Sequence, residues 1–356
     1  MLGGMSDQQQ SPRTEPGESM EGENRPFFLE AHRRFTLVGI GLCVTIAFWV
    51  GLNTVLSGLL QPFFPQGAPM WVSLLLSSGP LYAVAMPMGM MVIDRVPALQ
   101  AREFTLGAKR FWTMMIVCFP IMVFGNVIGS WMSGVISGGQ ASDRVSGIIA
   151  RSDPWMNALF VVLLAPLFEE WLFRKQLIDR TRRYGERTAI VLSAFAFAMF
   201  HMNLYQFFYA FGLGLVFAYA YMRTSRLRYP VIMHMVINAF GSLIGPGALR
   251  LASGGDIQGL LEGSTSEAAL MRAAESNPSM MAGVMLLGLY GVLMVCLVIA
   301  GIVLLFVNVR RLEFYDPPEQ LPKWYGARLA FLNPGMIVYT ALTAVLALWT
   351  MGLLRF

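Results

Sequence analysis

The chain has 356 residues, of which 56% are hydrophobic and only 13% charged, with a formal net charge of +5. Ordinary soluble domains carry about 25% charged residues, and a mean hydropathy of +0.57 excludes a single water-soluble core. The basic excess sits in short segments between apolar runs, where orientation signals belong, so it does not point to nucleic acid. Cys43, Cys118 and Cys296 each lie inside an apolar run. They read as small buried hydrophobes, with neither a disulfide framework nor a paired metal spacing.

In chain order, residues 1–34 are polar and acidic and read as a disordered cytoplasmic tail. No basic n-region leads straight into an apolar stretch with a small-residue cleavage site, so the first apolar run is expected to remain as a span. Nine apolar segments follow, at about 35–60, 68–93, 111–137, 155–179, 187–203, 204–222, 229–249, 281–309 and 329–353. A span needs about 20 apolar residues to cross a hydrocarbon core about 30 Å thick. The fifth and sixth are short and separated only by a polar nick at Asn203 and Gln206, so a tight hairpin that does not fully emerge is the alternative. The fold class is therefore an all-α polytopic transmembrane helix bundle of about 8–9 spans. Its expected divisions are N-terminal transmembrane helices over 35–150, a catalytic core over 151–250, an external loop over 251–280 and C-terminal transmembrane helices over 281–356. Within that loop, Ser264 and Glu267 form a capping-box pattern that predicts a short surface helix. Pro317, Pro318 and Pro322 predict a stiff connector.

Lysine and arginine set the orientation. With the N-terminus inside, only Arg144, Arg151, Arg250, Arg272 and Arg355 of the 26 basic residues fall in outer segments, and Arg174 lies within a span. The rest are in inner segments, which predicts a multi-pass cell-membrane protein with a cytoplasmic N-terminus.

The ionisable residues at membrane depth concentrate in one set: Glu169, Glu170 and Arg174 in the fourth segment, His201 closing the fifth, and His234 in the seventh. Only three histidines occur, and the third, His32, is in the tail. A charge near the bilayer centre costs about 2.5–3.5 kcal/mol on insertion scales, so such a cluster needs partners or a polar cavity. Glu170 and Arg174 are four apart and share a helix face. Glu169 points about 100° away around the helix. The midpoint between Glu169 and His201 falls at Gly185, in the basic turn from Arg180 to Arg187. Reversal there places the two side chains at similar depth. His234 and Asn238 are again four apart on one face. A carboxylate beside imidazoles can take a proton from water, and imidazole or carboxamide N–H groups can steady an oxyanion. Glu169, His201 and His234 are equally the donor types for a divalent metal such as zinc. Both chemistries hydrolyse amides. No serine or cysteine stands out as a nucleophile near the set.

At these residues the sequence resembles the CPBP family of intramembrane proteases, which includes the CAAX prenyl endopeptidases of the Rce type. The family's motifs run in order: EExxxR at Glu169-Glu170-Trp171-Leu172-Phe173-Arg174, FxxxH at Phe197 to His201, and HxxxN at His234 to Asn238. The likeness covers about residues 155–245. It implies an intramembrane endopeptidase acting on membrane-associated or lipidated peptides and proteins, with membrane lipid as its surroundings and its cavity open to the cytoplasm. By carry-over, Glu169 activates water with help from His201, while His234 and Asn238 form the oxyanion site or help hold a metal. Glu170 and Arg174 orient the cluster, and Phe197 packs beside it. No HExxH occurs, so the common zinc-protease signature is missing. Two other readings stay open: a non-enzymatic membrane partner, such as a bacteriocin self-immunity protein or a maturation scaffold, and, less favoured, a proton-coupled transporter. The transporter predicts a mirrored set of intramembrane charges in a second half, and the sequence has none.

Overall fold

The computed structural model describes residues 16–354, apart from 142, 255–276 and 318, and no strand occurs among the described residues. The helices are α1 (Pro16–Leu60), α2 (Met70–Pro80), α3 (Met86–Ile93), α4 (Ala108–Ser137), α5 (Arg144–Arg151), α6 (Pro154–Met156), α7 (Ala165–Glu170), α8 (Leu177–Thr181), α9 (Glu186–Phe200), α10 (Leu204–Thr224), α11 (Arg228–Ala239), α12 (Gly245–Ala252), α13 (Pro278–Asn308), α14 (Lys323–Phe331) and α15 (Pro334–Thr350). Wide π-helical turns join several into longer rods: Leu81–Ala85 links α2 to α3, Asn157–Leu164 and Trp171–Gln176 flank α7, and Phe240–Ile244 links α11 to α12.

Among the described residues seven helical rods are long and apolar enough to cross a membrane, or eight if a bent pair counts as one span. The expectation of nine segments is corrected at the fifth. α9 has 15 residues and so is about 22 Å long at 1.5 Å per residue, short of the hydrocarbon thickness. It is buried around most of its circumference instead, through Ala189, Leu192, Ser193, Ala196, Phe197 and Phe200, as a helix that is apolar on every side should be. The last expected span is the bent pair: α14 and α15 meet at 56°. Pro334 opens α15, and Asn333 caps it by accepting from Met336 N–H at 3.0 Å while its amide reaches back to the carbonyls of Leu329 and Ala330.

The tail is also shorter than expected, since α1 is already helical from Pro16. Ala31 and Phe35 are buried, with Phe27 and Phe28 packed against the same core. Phe28 meets Tyr325 edge-on at 4.7 Å, and Arg34 binds both Glu30 and the Tyr184 hydroxyl. Apolar residues at helical spacing, hidden in an otherwise polar stretch, produce this docking. The helix expected around Ser264 and Glu267 lies outside the described residues.

The exposed tryptophans support the placement of the rods. Trp112 and Trp324 lie at one end of the bundle, and Trp71, Trp131, Trp155 and Trp349 lie near the opposite ends of their rods. Two such belts are the pattern of side chains seated at the two membrane surfaces. α1 packs on α3 and α15, and α10 packs on α4 and α9. Where α1 crosses α15, a Cβ on Gly335 would strike the carbonyl oxygen of Thr36, and one on Gly39 would strike the backbone of Gly335. Small residues allow this close approach between membrane helices. Gly335→Val is therefore expected to destabilise the protein by about 1–3 kcal/mol or more, read as an earlier thermal transition in detergent. Gly51→Ala, with open space around it, should leave that transition in place.

Candidate functional site

The site forms where the fourth rod, α9, α10 and α11 meet. The fourth rod reverses into α9 at Gly185, whose φ of +139° lies in the left-handed half of backbone space and suits glycine. This is the turn expected from the sequence midpoint. Glu169 and Glu170 end α7, and Arg174 lies in the π-helical stretch that follows. π-helical turns inside α-helices often mark functional sites.

Glu170 and Arg174 are both fully buried and form a two-pronged ion pair: Arg174 Nε donates to Glu170 Oε2 at 2.7 Å and Nη2 donates to Oε1 at 3.2 Å. The third guanidinium nitrogen, Nη1, donates to Ser193 Oγ at 3.1 Å, and Ser193 in turn donates to the Phe173 carbonyl at 2.7 Å. The guanidinium also lies over the Phe197 ring, 4.6 Å from its centre. Taking two charges out of water is repaid only when geometry is good and the remaining donors are satisfied. Here they are.

His234 is gripped by both glutamates. Its Nδ1–H donates to Glu170 Oε1 at 2.9 Å, and its Nε2 stands 3.9 Å from Glu169 Oε2. A carboxylate can only accept, so Glu170 holds a proton on Nδ1, and Nε2 is the ring atom turned toward Glu169. The ring is held between Phe217, stacked at 5.3 Å, and Phe197, perpendicular at 5.7 Å. Glu169 is the more open carboxylate, with 14% of its side chain exposed against none of Glu170. Two atoms 3.9 Å apart can share one water about 2.8 Å from each.

His201 caps the C-terminal end of α9. Its Nδ1–H donates to the Phe197 carbonyl at 2.9 Å, and its ring meets the Phe197 ring edge-on at 4.9 Å. Its Nε2 makes no hydrogen bond among the described residues. Met202, the next residue, has a left-handed φ of +46°, a conformation uncommon outside glycine and worth noting beside a candidate site. Asn238 donates one amide N–H to the Val161 carbonyl at 2.8 Å, within the first π-helical stretch of the fourth rod. Its second N–H has no partner among the described residues.

The structure thus brings Glu169, Glu170, Arg174, Phe197 and His234 together, with His201 against the Phe197 ring and Asn238 one helical turn beyond His234. Phe197 is more central than a packing residue, since its ring touches Arg174, His201 and His234. Sequence reasoning missed Ser193 and Phe217. Ser193, Phe197 and His201 recur every four residues on α9, the signal that would have found the serine. Phe217 lies among many apolar residues and carries no comparable mark. Among the described residues, no three His, Cys, Asp or Glu side chains gather so as to hold a metal ion. Glu170 and His234 Nδ1 are spent on each other, so Glu169 and the Nε2 atoms of His234 and His201 are the donors a divalent metal would have to draw on.

A bundle of membrane-spanning helices around a buried glutamate, arginine and histidine cluster defines a polytopic membrane protein with a polar site at membrane depth. Residues 151–240, which hold all three motifs, match the family described as type II CAAX prenyl endopeptidase Rce1-like. The chain is similar to the membrane-embedded CAAX protease MroQ of Staphylococcus aureus, at 32% identity over 37% of this chain and 58% of that one. It is also similar to YdiL of Bacillus subtilis, which carries the name of a membrane peptidase, at 26% identity over 38% of this chain and 56% of that one. The chain thus spans just over half the length of the curated relatives it matches. No solved structure matches it.

Proposed function

We propose that the protein is an intramembrane endopeptidase of the Rce type that hydrolyses peptide bonds of membrane-associated or lipidated substrates with a glutamate-activated water. The observation that carries this reading is the pair of glutamates on one imidazole, with Glu170 neutralised by Arg174 and Glu169 left open beside His234 Nε2. A water between Glu169 and His234 gives its proton to the Glu169 carboxylate as its oxygen bonds to the substrate carbonyl carbon. The carbonyl oxygen becomes an oxyanion and accepts from the unspent N–H of Asn238. The C–N bond then breaks, its electron pair stays on nitrogen, and Glu169 returns the proton to that nitrogen. His201 supports this transfer from the Phe197 side. Glu170 and Arg174 act through His234 by fixing its tautomer and are positioning residues.

The orientation belongs to the same proposal. The basic turns converge on one end of the bundle, where Arg180 binds Asp94, Arg226 binds Glu103, Arg183 binds Glu319 and Arg223 binds Glu186. That end faces the cytoplasm under the positive-inside rule.

The test is cleavage of prenylated and plain peptide libraries by the purified full chain, with products identified by mass. Cleavage is expected, and a strong chelator should leave its rate unchanged. Loss of activity that zinc alone restores would assign a metal to the site and overturn the metal-free route. No cleavage of any peptide would favour a non-enzymatic membrane partner.

A further inference from the structure

A cavity of about 820 Å³, lined by none of the residues of the charged cluster, opens between α4, α9, α10 and α13. That volume lies in the range of roughly 300–1,000 Å³ typical of small-molecule sites. The short helix α9 thus contributes to both places along its length: Arg187, Ile190 and Val191 near its start line the cavity, while Ser193 and Phe197 further along look into the charged cluster. Its body is apolar, with Ile121, Val191, Val216 and Leu304 among the lining residues. α13, which forms one wall, is the most hydropathic of the candidate spans, and only 6% of its most apolar window is buried inside the protein. The cavity therefore stands in the lipid phase.

Its polar lining is confined to one end. Arg187 opens α9, Arg310 follows α13, and Asn308 lies beside Arg310. Both arginines are exposed. Neither has a carboxylate partner among the described residues, whereas Arg180, Arg182, Arg183, Arg223 and Arg226 of the same end do. Arg187 is steadied over the Phe314 ring at 4.5 Å. The acidic groups near this mouth are otherwise engaged or outside the lining. Glu186 is held by Arg223 and by the Tyr315 N–H, and Glu313 does not line the cavity. An apolar slot in the lipid phase, ending in two unpaired arginines at the membrane surface, matches one chemistry. Basic pockets between membrane helices bind anionic lipid headgroups, and an acyl chain gains affinity with each CH₂ it buries along an apolar lining.

We propose that this crevice is a binding site for an anionic glycerophospholipid, with an acyl chain along the apolar lining and the phosphate on Arg187 and Arg310. The lipid would brace α13, Leu312 and Phe314 against the α9–α10 pair.

The experiment is native mass spectrometry of the full chain released from mixed micelles containing equal phosphatidylglycerol and phosphatidylcholine. Wild type should retain phosphatidylglycerol at least about tenfold over phosphatidylcholine, a difference of about 1.4 kcal/mol. The double variant R187Q/R310Q should lose that preference, and Val191→Trp, which fills the apolar body, should lose the bound lipid altogether. Arg110→Gln, exposed at the same end but outside the lining, should retain it. Circular dichroism of each variant establishes that it is folded. Equal retention of the two lipids by wild type would overturn the proposal, as would a folded R187Q/R310Q with undiminished preference. Displacement of a prenylated peptide, rather than phospholipid, by Val191→Trp would also overturn it, by showing a substrate groove.

Discussion

Glu169→Ala is expected to lower the rate of peptide cleavage by about 10²–10⁴-fold, the usual contribution of a positioned general base, with little change in the amount of protein in the membrane. The second half of that expectation distinguishes a reacting group from a structural one. Glu169 receives no hydrogen bond from any described residue, and its neighbour His234 Nε2 stands 3.9 Å away. Removing its carboxylate leaves no donor stranded. Truncating a residue that holds the fold would instead expose unpaired buried groups and reduce protein levels. His234→Ala should lose activity to a similar degree, because it removes both the partner of Glu169 and an acceptor of the shared water. Phe197→Leu should do less, since it keeps an apolar body against Arg174 and leaves the ionic pair intact. Cleavage rates and membrane levels measured together check all three. Full activity in Glu169→Ala would remove the carboxylate from the reaction and with it the proposed mechanism.

Much of this arrangement was legible in the sequence, for a physical reason. Ionisable groups are so costly in a bilayer that their few positions stand out from the apolar background. The four-residue spacing of Glu170 and Arg174 gave the ion pair, and the midpoint at Gly185 gave the turn. What the spacing could not give was the pairing across helices. Placing Glu169 and His201 at equal depth suggested that they work together, whereas Glu169 stands closest to His234 and His201 is turned toward the Phe197 carbonyl. Depth is a one-dimensional reading, and the choice between two imidazoles at similar depth depends on how α11 rotates against α7. The short α9 was miscounted because a buried helix and a lipid-facing one are equally apolar. Their difference lies in length and in what surrounds them. The tail was misjudged because Phe27, Phe28 and Ala31 are too few to offset a polar composition, although their spacing is helical.

The buried ion pair leads to the other large effect. Arg174→Ala is expected to destabilise the protein by about 3–5 kcal/mol, the loss typical of breaking one side of a buried pair. Glu170 has no exposed surface, so without the guanidinium its charge keeps only the His234 N–H, in a medium that solvates it poorly. The consequence should be low membrane levels and a thermal transition well below that of wild type. Arg174→Lys should rescue little, because an ammonium cannot bind two carboxylate oxygens and Ser193 Oγ in the planar fork that Arg174 uses. Replacing both partners by methionine removes the stranded charge along with its mate, so the double variant should be markedly more stable than Arg174→Ala alone. It should nonetheless cleave poorly, since nothing then holds the proton of His234 on Nδ1. Recovery of stability without recovery of activity would separate what the pair does for the fold from what it does for the imidazole. If the double variant were as unstable as the single one, the penalty would lie in lost packing around Phe197 and not in the uncompensated charge.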